Sequence, residues 1–154
     1  DSMDPSSDTR GIAFSEDGTR AFVVDRQPPG LVLIDTSLED GLPRNQIVDA
    51  IALCPEPSLL YLKKVGGSNR AFVVCFAAGT AYVVDTDALR LVDTILLGQG
   101  PNAMAFALGD PSRPLAFVAN YVENDIAVID LLPGSPTEHQ IIARIGYPSP
   151  VQSH

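Results

Sequence analysis

The chain has 154 residues, a length that fits one ordinary domain, and its 45% hydrophobic content is enough to build a core. Lysine and arginine number 10 against 19 aspartate and glutamate residues, so the formal net charge is −9. This balance argues against nucleic acid or an anionic membrane as a partner, because phosphate neutralisation needs positive charge. Polar residues interrupt the apolar runs long before the roughly 18 residues of a membrane-spanning helix, so no membrane insertion is expected.

The first predicted unit covers about residues 11–53 and follows a polar segment, 1–10, that is expected to be flexible. Asp17-Gly18 lies between two short apolar runs and is a strong hairpin signal. Pro28 and Pro29 donate no N–H to a ladder, so 26–30 is predicted to be a loop. The four predicted strands, named a to d in chain order, are 11–15, 21–25, 31–35 and 46–53.

Two further units of the same kind follow, over about 58–97 and 101–145, and each is entered through a proline-containing link. Residues 146–154 are expected to be the start of another unit or a C-terminal tail. The predicted strands of the second unit are 58–63, 71–76, 81–85 and 91–97, and those of the third are 103–108, 116–120, 126–130 and 140–145.

Two landmarks recur in these units with identical spacing. Phe22, Phe72 and Phe117 are 50 and 45 residues apart, and the aspartates that close strand c, at 35, 85 and 130, repeat the same intervals. A period of 45 to 50 residues carrying four strands is typical of a β-propeller blade. Strands b and c are apolar almost throughout, which indicates sheets covered on both faces. We therefore predict an all-β β-propeller with about three four-stranded antiparallel blades.

Three blades do not close a ring, because propellers typically use four to eight. The expected partners are therefore the remaining blades of a longer protein, or a second chain that completes the ring.

The segment VANYVENDIAVID, at 118–130, resembles the YVTN-type β-propeller repeat of surface-layer and exported bacterial proteins, and FVVDRQPPGLVLIDT and FVVCFAAGTAYVVDT match it more loosely. The resemblance implies an extracytoplasmic protein (periplasmic, cell-surface or secreted). It implies a non-catalytic binding or scaffold module that recognises a protein, glycan or small ligand on one face of the ring. Two alternatives stay open: a lactonase-like hydrolase whose metal ligands come largely from blades outside this chain, and an electron-transfer propeller whose cofactor is carried elsewhere.

Candidate ligand-binding residues lie where strand b ends, because the b–c and d–a loops of a propeller share one face. They are Asp25, Arg26, Asn120, Tyr121 and Glu123, although unconstrained loops show similar variety. The recurring aspartates are predicted to be turn residues rather than a metal site, since aspartate accepts hydrogen bonds from its own turn. No catalytic residue, metal ligand or cofactor is predicted within the chain, although the parent protein could hold a divalent metal.

Cys54 precedes strand a of the second unit and Cys75 ends its strand b. Antiparallel pairing puts both at the same edge of the sheet, so a disulfide is possible if the Cα atoms lie within about 7 Å. The alternative is a pair of buried free thiols.

Overall fold

The computed structural model describes residues 8–146, and over this range the chain forms strands joined by turns, with no helix. It therefore has no helix long and apolar enough to cross a membrane between those residues. The expectations for 1–7 and 147–154 lie outside the described residues.

The strands form three four-stranded antiparallel sheets, and each sheet corresponds to one predicted unit. This architecture confirms the predicted all-β class. Blade 1 contains β1 (Thr9–Phe14), β2 (Arg20–Arg26), β3 (Pro29–Asp35) and β6 (Gln46–Ala52). Blade 2 contains β7 (Pro57–Val65), β8 (Ser68–Cys75), β9 (Thr80–Asp85) and β10 (Arg90–Leu96), and blade 3 contains β11 (Pro101–Ala107), β12 (Leu115–Asn120), β13 (Asp125–Asp130) and β14 (Ile141–Gly146).

Three local features differ from the sequence prediction. β1 begins at Thr9, within the segment expected to be flexible, because Thr9 pairs with Asp25 of β2. Pro29 is not in a loop: it is the first residue of β3 and pairs with Arg26, a position where the missing N–H is tolerated. The link between strands c and d of blade 1 contains an unpredicted two-stranded hairpin, β4 (Leu38–Glu39) with β5 (Leu42–Pro43).

The three recurring phenylalanines occupy equivalent positions, since each pairs with an apolar residue of strand c: Leu33, Val83 and Val128. Phe22 and Phe72 point towards the following blade, and each is 1% exposed. We call this side of a blade its leading flank, defined by the positions of Phe22, Phe72 and Phe117. The opposite side is the trailing flank.

Two hydrophobic cores join the blades in succession. The first joins the leading flank of blade 1, including Phe22, Val24 and Leu31, to blade 2. The second joins the leading flank of blade 2, including Phe72, to Met104, Val118 and Ile129 of blade 3. Among residues 8–146, blade 2 is therefore covered on both flanks, whereas blades 1 and 3 are each covered on one.

The aspartates that close strand c are turn residues, as predicted. Asp35, Asp85 and Asp130 each accept a hydrogen bond at 2.9 Å from the backbone N–H two residues further on. This is the aspartate turn that mimics a backbone turn, and it fixes where each c strand ends.

Candidate functional site

All candidate ligand-binding residues lie at one end of the blades. In an antiparallel sheet of order a, b, c, d, the end of b, the start of c, the end of d and the start of a share one edge. We call this edge the b–c end. It carries the b–c links 27–28, 76–79 and 121–124 together with the d–a links 53–56 and 97–100.

In blade 1, Arg26 is held in contacts with its own surroundings. Its Nε donates a hydrogen bond to the Pro57 carbonyl at 3.3 Å, and its Nη1 lies 3.8 Å from the Asp8 carboxylate. Asp25 accepts a hydrogen bond from the backbone N–H of Gln27 at 3.3 Å, within the b–c turn. The hydrogen bond from Arg26 to Pro57 ties the turn of blade 1 to the start of β7 in blade 2, so it helps to position the two blades.

In blade 3, Asn120 is the most deeply buried of the candidate residues, with 2% of its surface exposed. Its Nδ2 donates to the Leu97 carbonyl of blade 2 at 3.2 Å and to Asp125 Oδ1 at 2.8 Å. Its Oδ1 has no hydrogen-bond partner among the described residues. A buried polar atom without a partner is costly to the fold.

Glu123 belongs to an ion-pair network that sequence reasoning did not find. Arg144 of β14 lies 3.1 Å from the Glu123 carboxylate and 2.7 Å from that of Asp125, and it also donates to the Leu97 carbonyl at 3.0 Å. Burial raises the pKa of Asp125, but hydrogen bonds from Asn120 and Arg144 outweigh it and hold that pKa below its usual range. The network clamps the b–c loop of blade 3 to the end of β10.

Gly98 shows how closely this loop approaches blade 2. Its φ is 126°, which side chains rarely adopt. A Cβ there would collide with the Glu123 carboxylate and lie 3.2 Å from Asn120 Nδ2. Glycine at this position therefore lets the loop approach closely enough to form the network.

A cleft of about 560 Å³ opens at the b–c end of blade 3, on the side away from blade 2. Four of its side chains offer amide or carboxylate groups, and four are apolar or aromatic. Tyr121 is 74% exposed, and Ile145 is 55% exposed. The polar set is Asn102, Asn120, Asn124 and Asp125, and the apolar set is Ala119, Tyr121, Ile126 and Ile145.

The structure thus brings three of the five predicted residues together. Asn120 and Tyr121 line the cleft, and Glu123 lies behind it in the ion-pair network. Asp25 and Arg26 lie at the same end of the molecule but on blade 1, with blade 2 between. Sequence reasoning missed Asp125, which pairs directly with Asn120 in the register. The signal was the b–c link of four residues, which puts the end of strand b opposite the start of strand c.

Cys54 and Cys75 form a disulfide with their Cα atoms 6.3 Å apart. Cys54 lies in the link that leaves blade 1, and Cys75 ends β8 and is fully buried. The bridge therefore anchors the connection between blades 1 and 2 at the b–c end.

A second cleft, of about 540 Å³, lies between blades 1 and 2 at the opposite end. The sequence spreads the cations along the chain, yet four of the ten line this cleft: Arg20, Lys63, Lys64 and Arg70. Carboxylates balance much of this charge, since Arg20 pairs with Asp87 at 3.1 Å and Arg70 with Asp85 at 3.1 Å. We therefore assign no ligand to it.

Within residues 8–146, no group of three or more His, Cys, Asp or Glu side chains is arranged to hold a metal ion. The carboxylates nearest the cleft are engaged by Arg144 instead.

No protein-family model matches the chain, and no curated protein matches it. Solved structures do match. They include the dihydro-heme d1 dehydrogenase NirN in complex with DHE, at 20% identity and a TM-score of 0.70, over 95% of this chain and 29% of that one. The Pseudomonas aeruginosa periplasmic gluconolactonase PpgL matches at 21% identity and a TM-score of 0.68, over 95% of this chain and 42% of that one.

A putative 6-phosphogluconolactonase from Bacteroides uniformis matches at 15% identity and a TM-score of 0.68, covering 92% of this chain and 42% of that one. The chain thus spans well under half the length of these structures. At such identities the likeness shows the fold alone. Together with the three successive sheets, it identifies the chain as a β-propeller.

Proposed function

We propose that this chain is a non-catalytic binding and scaffold module of an exported β-propeller of the YVTN type, and that it recognises a glycan at the cleft of blade 3. The observation that carries the proposal is the cleft itself, about 560 Å³ in volume, with three asparagines and the exposed ring of Tyr121 in its lining.

The lining suits a polyhydroxylated ligand. Asparagine amides both donate and accept hydrogen bonds, as sugar hydroxyls do, and three of them line this cleft. Tyr121 adds an exposed aromatic ring with an apolar face against which a pyranose can pack. A few polar groups beside apolar surface is the usual composition of a ligand site.

The charges near the cleft favour binding over catalysis. General acid catalysis by a carboxyl group needs a raised pKa, whereas the pKa of Asp125 is lowered. Arg144 forms ion pairs with both Glu123 and Asp125, and its single positive charge offsets one of their two negative charges. The ion pairs of Arg144 with Glu123 and Asp125 therefore support a structural role for these carboxylates, behind the proposed ligand.

The disulfide supports an extracytoplasmic location, because such bridges persist in oxidising compartments. One of the similar structures, PpgL, is itself described as periplasmic.

A lactonase-like hydrolase is the second candidate, since two of the similar structures carry gluconolactonase names. Its metal ligands would come largely from blades outside this chain. This candidate predicts stabilisation by a divalent ion, so a thermal-shift screen of the full-length protein against Ca²⁺ and other divalent ions separates it from the first.

Binding to an array of neutral and acidic oligosaccharides, followed by calorimetry on the best binder, tests the proposal. Tyr121→Ala is expected to weaken binding by at least about tenfold, which corresponds to about 1.4 kcal/mol. Phe76→Ala is the matched control, because Phe76 is a 40% exposed aromatic residue at the b–c end of blade 2. Absence of any binder, or equal losses in both variants, would contradict the proposed site.

A further inference from the structure

The tripeptide Glu-Asp-Gly occurs twice in the chain, at 16–18 and at 39–41. Both copies lie in turns of the segment that forms blade 1: the first joins β1 to β2, and the second is the tip of the β4–β5 hairpin. All three residues of both copies are exposed to solvent. Local sequence and exposure are therefore matched, so a chemical difference between the two copies must come from their contacts.

In the first copy, neighbouring groups hold the aspartate in place. Oδ1 of Asp17 accepts hydrogen bonds from Ser15 Oγ at 2.7 Å, from Thr19 Oγ1 at 2.8 Å and from the Thr19 N–H at 3.0 Å. These hydrogen bonds, first that from Ser15, lower the pKa of Asp17 to about 2. The N–H of Gly18 is also engaged, since it donates to the Ser15 carbonyl at 2.9 Å.

In the second copy, the aspartate lacks these restraints. Arg44, the only cation of the c–d link of blade 1, pairs with Asp35 at 3.6 Å and with Glu39 at 3.0 Å. Among residues 8–146, no group donates a hydrogen bond to the Asp40 carboxylate or forms an ion pair with it. Asp40 has a φ of 52°, which costs energy for a residue with a side chain, and its hairpin belongs to none of the blade sheets. This turn can therefore open locally at low cost.

We propose that Asp40 is a site of spontaneous covalent modification, at which the peptide link to Gly41 moves from the α-carboxyl to the β-carboxyl group of the aspartate. The main-chain nitrogen of Gly41 attacks the protonated side-chain carboxyl group. A nitrogen–carbon bond forms, the nitrogen gives up its proton, and the carboxyl hydroxyl leaves as water, so that a cyclic imide results. Water then hydrolyses the imide: cleavage at the α-carbonyl leaves an isoaspartyl residue, and cleavage at the β-carbonyl restores aspartate. One water molecule is released and one is consumed, so no oxidant, reductant or cofactor is required.

The contacts of the carboxyl group distinguish the two copies in this reaction. Glycine hinders the attack least, because it has no side chain beside the nitrogen, and a Cβ added at Gly18 or at Gly41 would meet no atom within 4 Å. Asp17 must lose its hydrogen bonds from Ser15 and Thr19 before it can cyclise. We therefore expect Asp40 to convert at least about tenfold faster than Asp17, because breaking those hydrogen bonds raises the barrier.

The product changes the hairpin and leaves the blades intact. An isoaspartyl residue adds its methylene group to the main chain, so a two-residue turn no longer connects Glu39 to Leu42 in register. Because β4 and β5 lie outside the blade sheets, the Tm is expected to stay unchanged. The modification does not depend on the proposed ligand.

Incubation of the chain at mildly acid pH in water enriched in oxygen-18 tests the inference. Each round of imide formation and hydrolysis places one heavy oxygen on the aspartate. Tryptic digestion in ordinary water then separates the two copies, since cleavage after arginine puts them in different peptides, 11–20 and 27–44. Fragment-resolved mass spectrometry is expected to find label and isoaspartate at Asp40, and at least about tenfold less of both at Asp17.

Two variants separate the effect of the contacts from that of the sequence. Ser15→Ala removes one donor to Asp17 and is expected to speed conversion there while conversion at Asp40 stays the same. Asp40→Glu keeps the charge but needs a larger ring, so label at that position should fall to background. If circular dichroism shows that Ser15→Ala is unfolded, Thr19→Val replaces it.

Three results would overturn the inference. They are an absence of conversion at Asp40, equal conversion of the two native copies, and conversion of Asp17 that removal of its donor does not speed.

Discussion

Blade 2 and the two blades beside it are built from the same repeat, yet they differ in burial. In blade 2, both faces of β8 are covered: Val73 and Val74 point to opposite sides and each is 0% exposed. In blade 1 the outward-facing Ile12 is 61% exposed, and in blade 3 the outward-facing Ile126 is 38% exposed. The comparison shows that each blade has apolar residues on both faces, suited to a neighbouring blade on each side. How far these residues are buried depends on how many neighbouring blades the structure contains.

The largest expected effect comes from truncating equivalent phenylalanines in covered and bare flanks. Phe72→Ala is expected to lower the free energy of unfolding by about 3 to 5 kcal/mol, because it leaves a cavity between blades 2 and 3. Phe117→Ala should cost about 1 to 2 kcal/mol, since Phe117 is only half-buried in one chain. Urea unfolding at a concentration where the chain is monomeric measures both, and equal losses would contradict the comparison.

The junction between blades 1 and 2 can be weakened through its disulfide. The bridge closes a loop with a sequence separation of 21 residues, and its loss is expected to cost about 3 kcal/mol. Reductant should therefore lower the Tm of the chain, and a variant with both cysteines replaced by serine should match the reduced protein. Reductant must leave that variant unchanged, whereas an unchanged Tm of the reduced native chain would show that the bridge contributes nothing.

The turns that close strand c give a smaller contrast between blades. Asp130 is 8% exposed and accepts hydrogen bonds from the Leu132 N–H, Ser135 Oγ at 2.6 Å and Thr137 Oγ1 at 2.7 Å. Asp130→Ala is expected to cost about 1 to 3 kcal/mol of stability, because these donors lose their acceptor. Asp35→Ala, in the more open turn of blade 1, is the control and should cost less. A greater loss for Asp35→Ala would contradict this account of the turns.

The free energy of unfolding is expected to fall at acid pH because of three aspartates, Asp85, Asp125 and Asp130, whose pKa values are lowered in the fold. A hydrogen bond from the Ala88 N–H lowers the pKa of Asp85, and for Asp125 and Asp130 hydrogen bonds outweigh the burial that raises their pKa values. Because all three folded pKa values lie below the unfolded value of about 3.9, the stability they contribute is present above about pH 4. It is lost as the pH falls through the folded values.

Denaturant unfolding between pH 7 and pH 2.5 measures this loss. Asp130→Asn should flatten the dependence of stability on pH in the acid range, since it removes one of the carboxyl groups whose pKa is lowered. A free energy of unfolding that stays constant down to pH 2.5 would show that these carboxylates do not stabilise the fold.

Much of the fold could be predicted because the blade repeats its landmarks. The spacing of Phe22, Phe72 and Phe117 located the sheets, and Asp-Gly and proline-containing segments located most of the turns. The β4–β5 hairpin escaped prediction, because a link of this length shows no alternating apolar pattern. Pro29 was misplaced because proline was treated as excluded from the ladder, whereas the first position of a strand tolerates it.

The site was less predictable, because its contacts cross between blades. Asn120 and Tyr121 were found from their place at the end of strand b. Arg144 was missed, since an arginine on an outer strand shows no sign in sequence that it reaches back to Glu123 and to a carbonyl of blade 2. The gathering of four cations in the other cleft was missed for the same reason.

Hydrogen–deuterium exchange of the monomeric chain tests most directly whether three blades succeed one another with only the middle one fully covered. The amides of β8 and β9 are expected to exchange most slowly, because exposing them requires separating both blade contacts. Those of β2, β3, β12 and β13, although also internal to their sheets, should exchange faster. Equal protection in all three blades, or slowest exchange in blade 1 or blade 3, would contradict the arrangement.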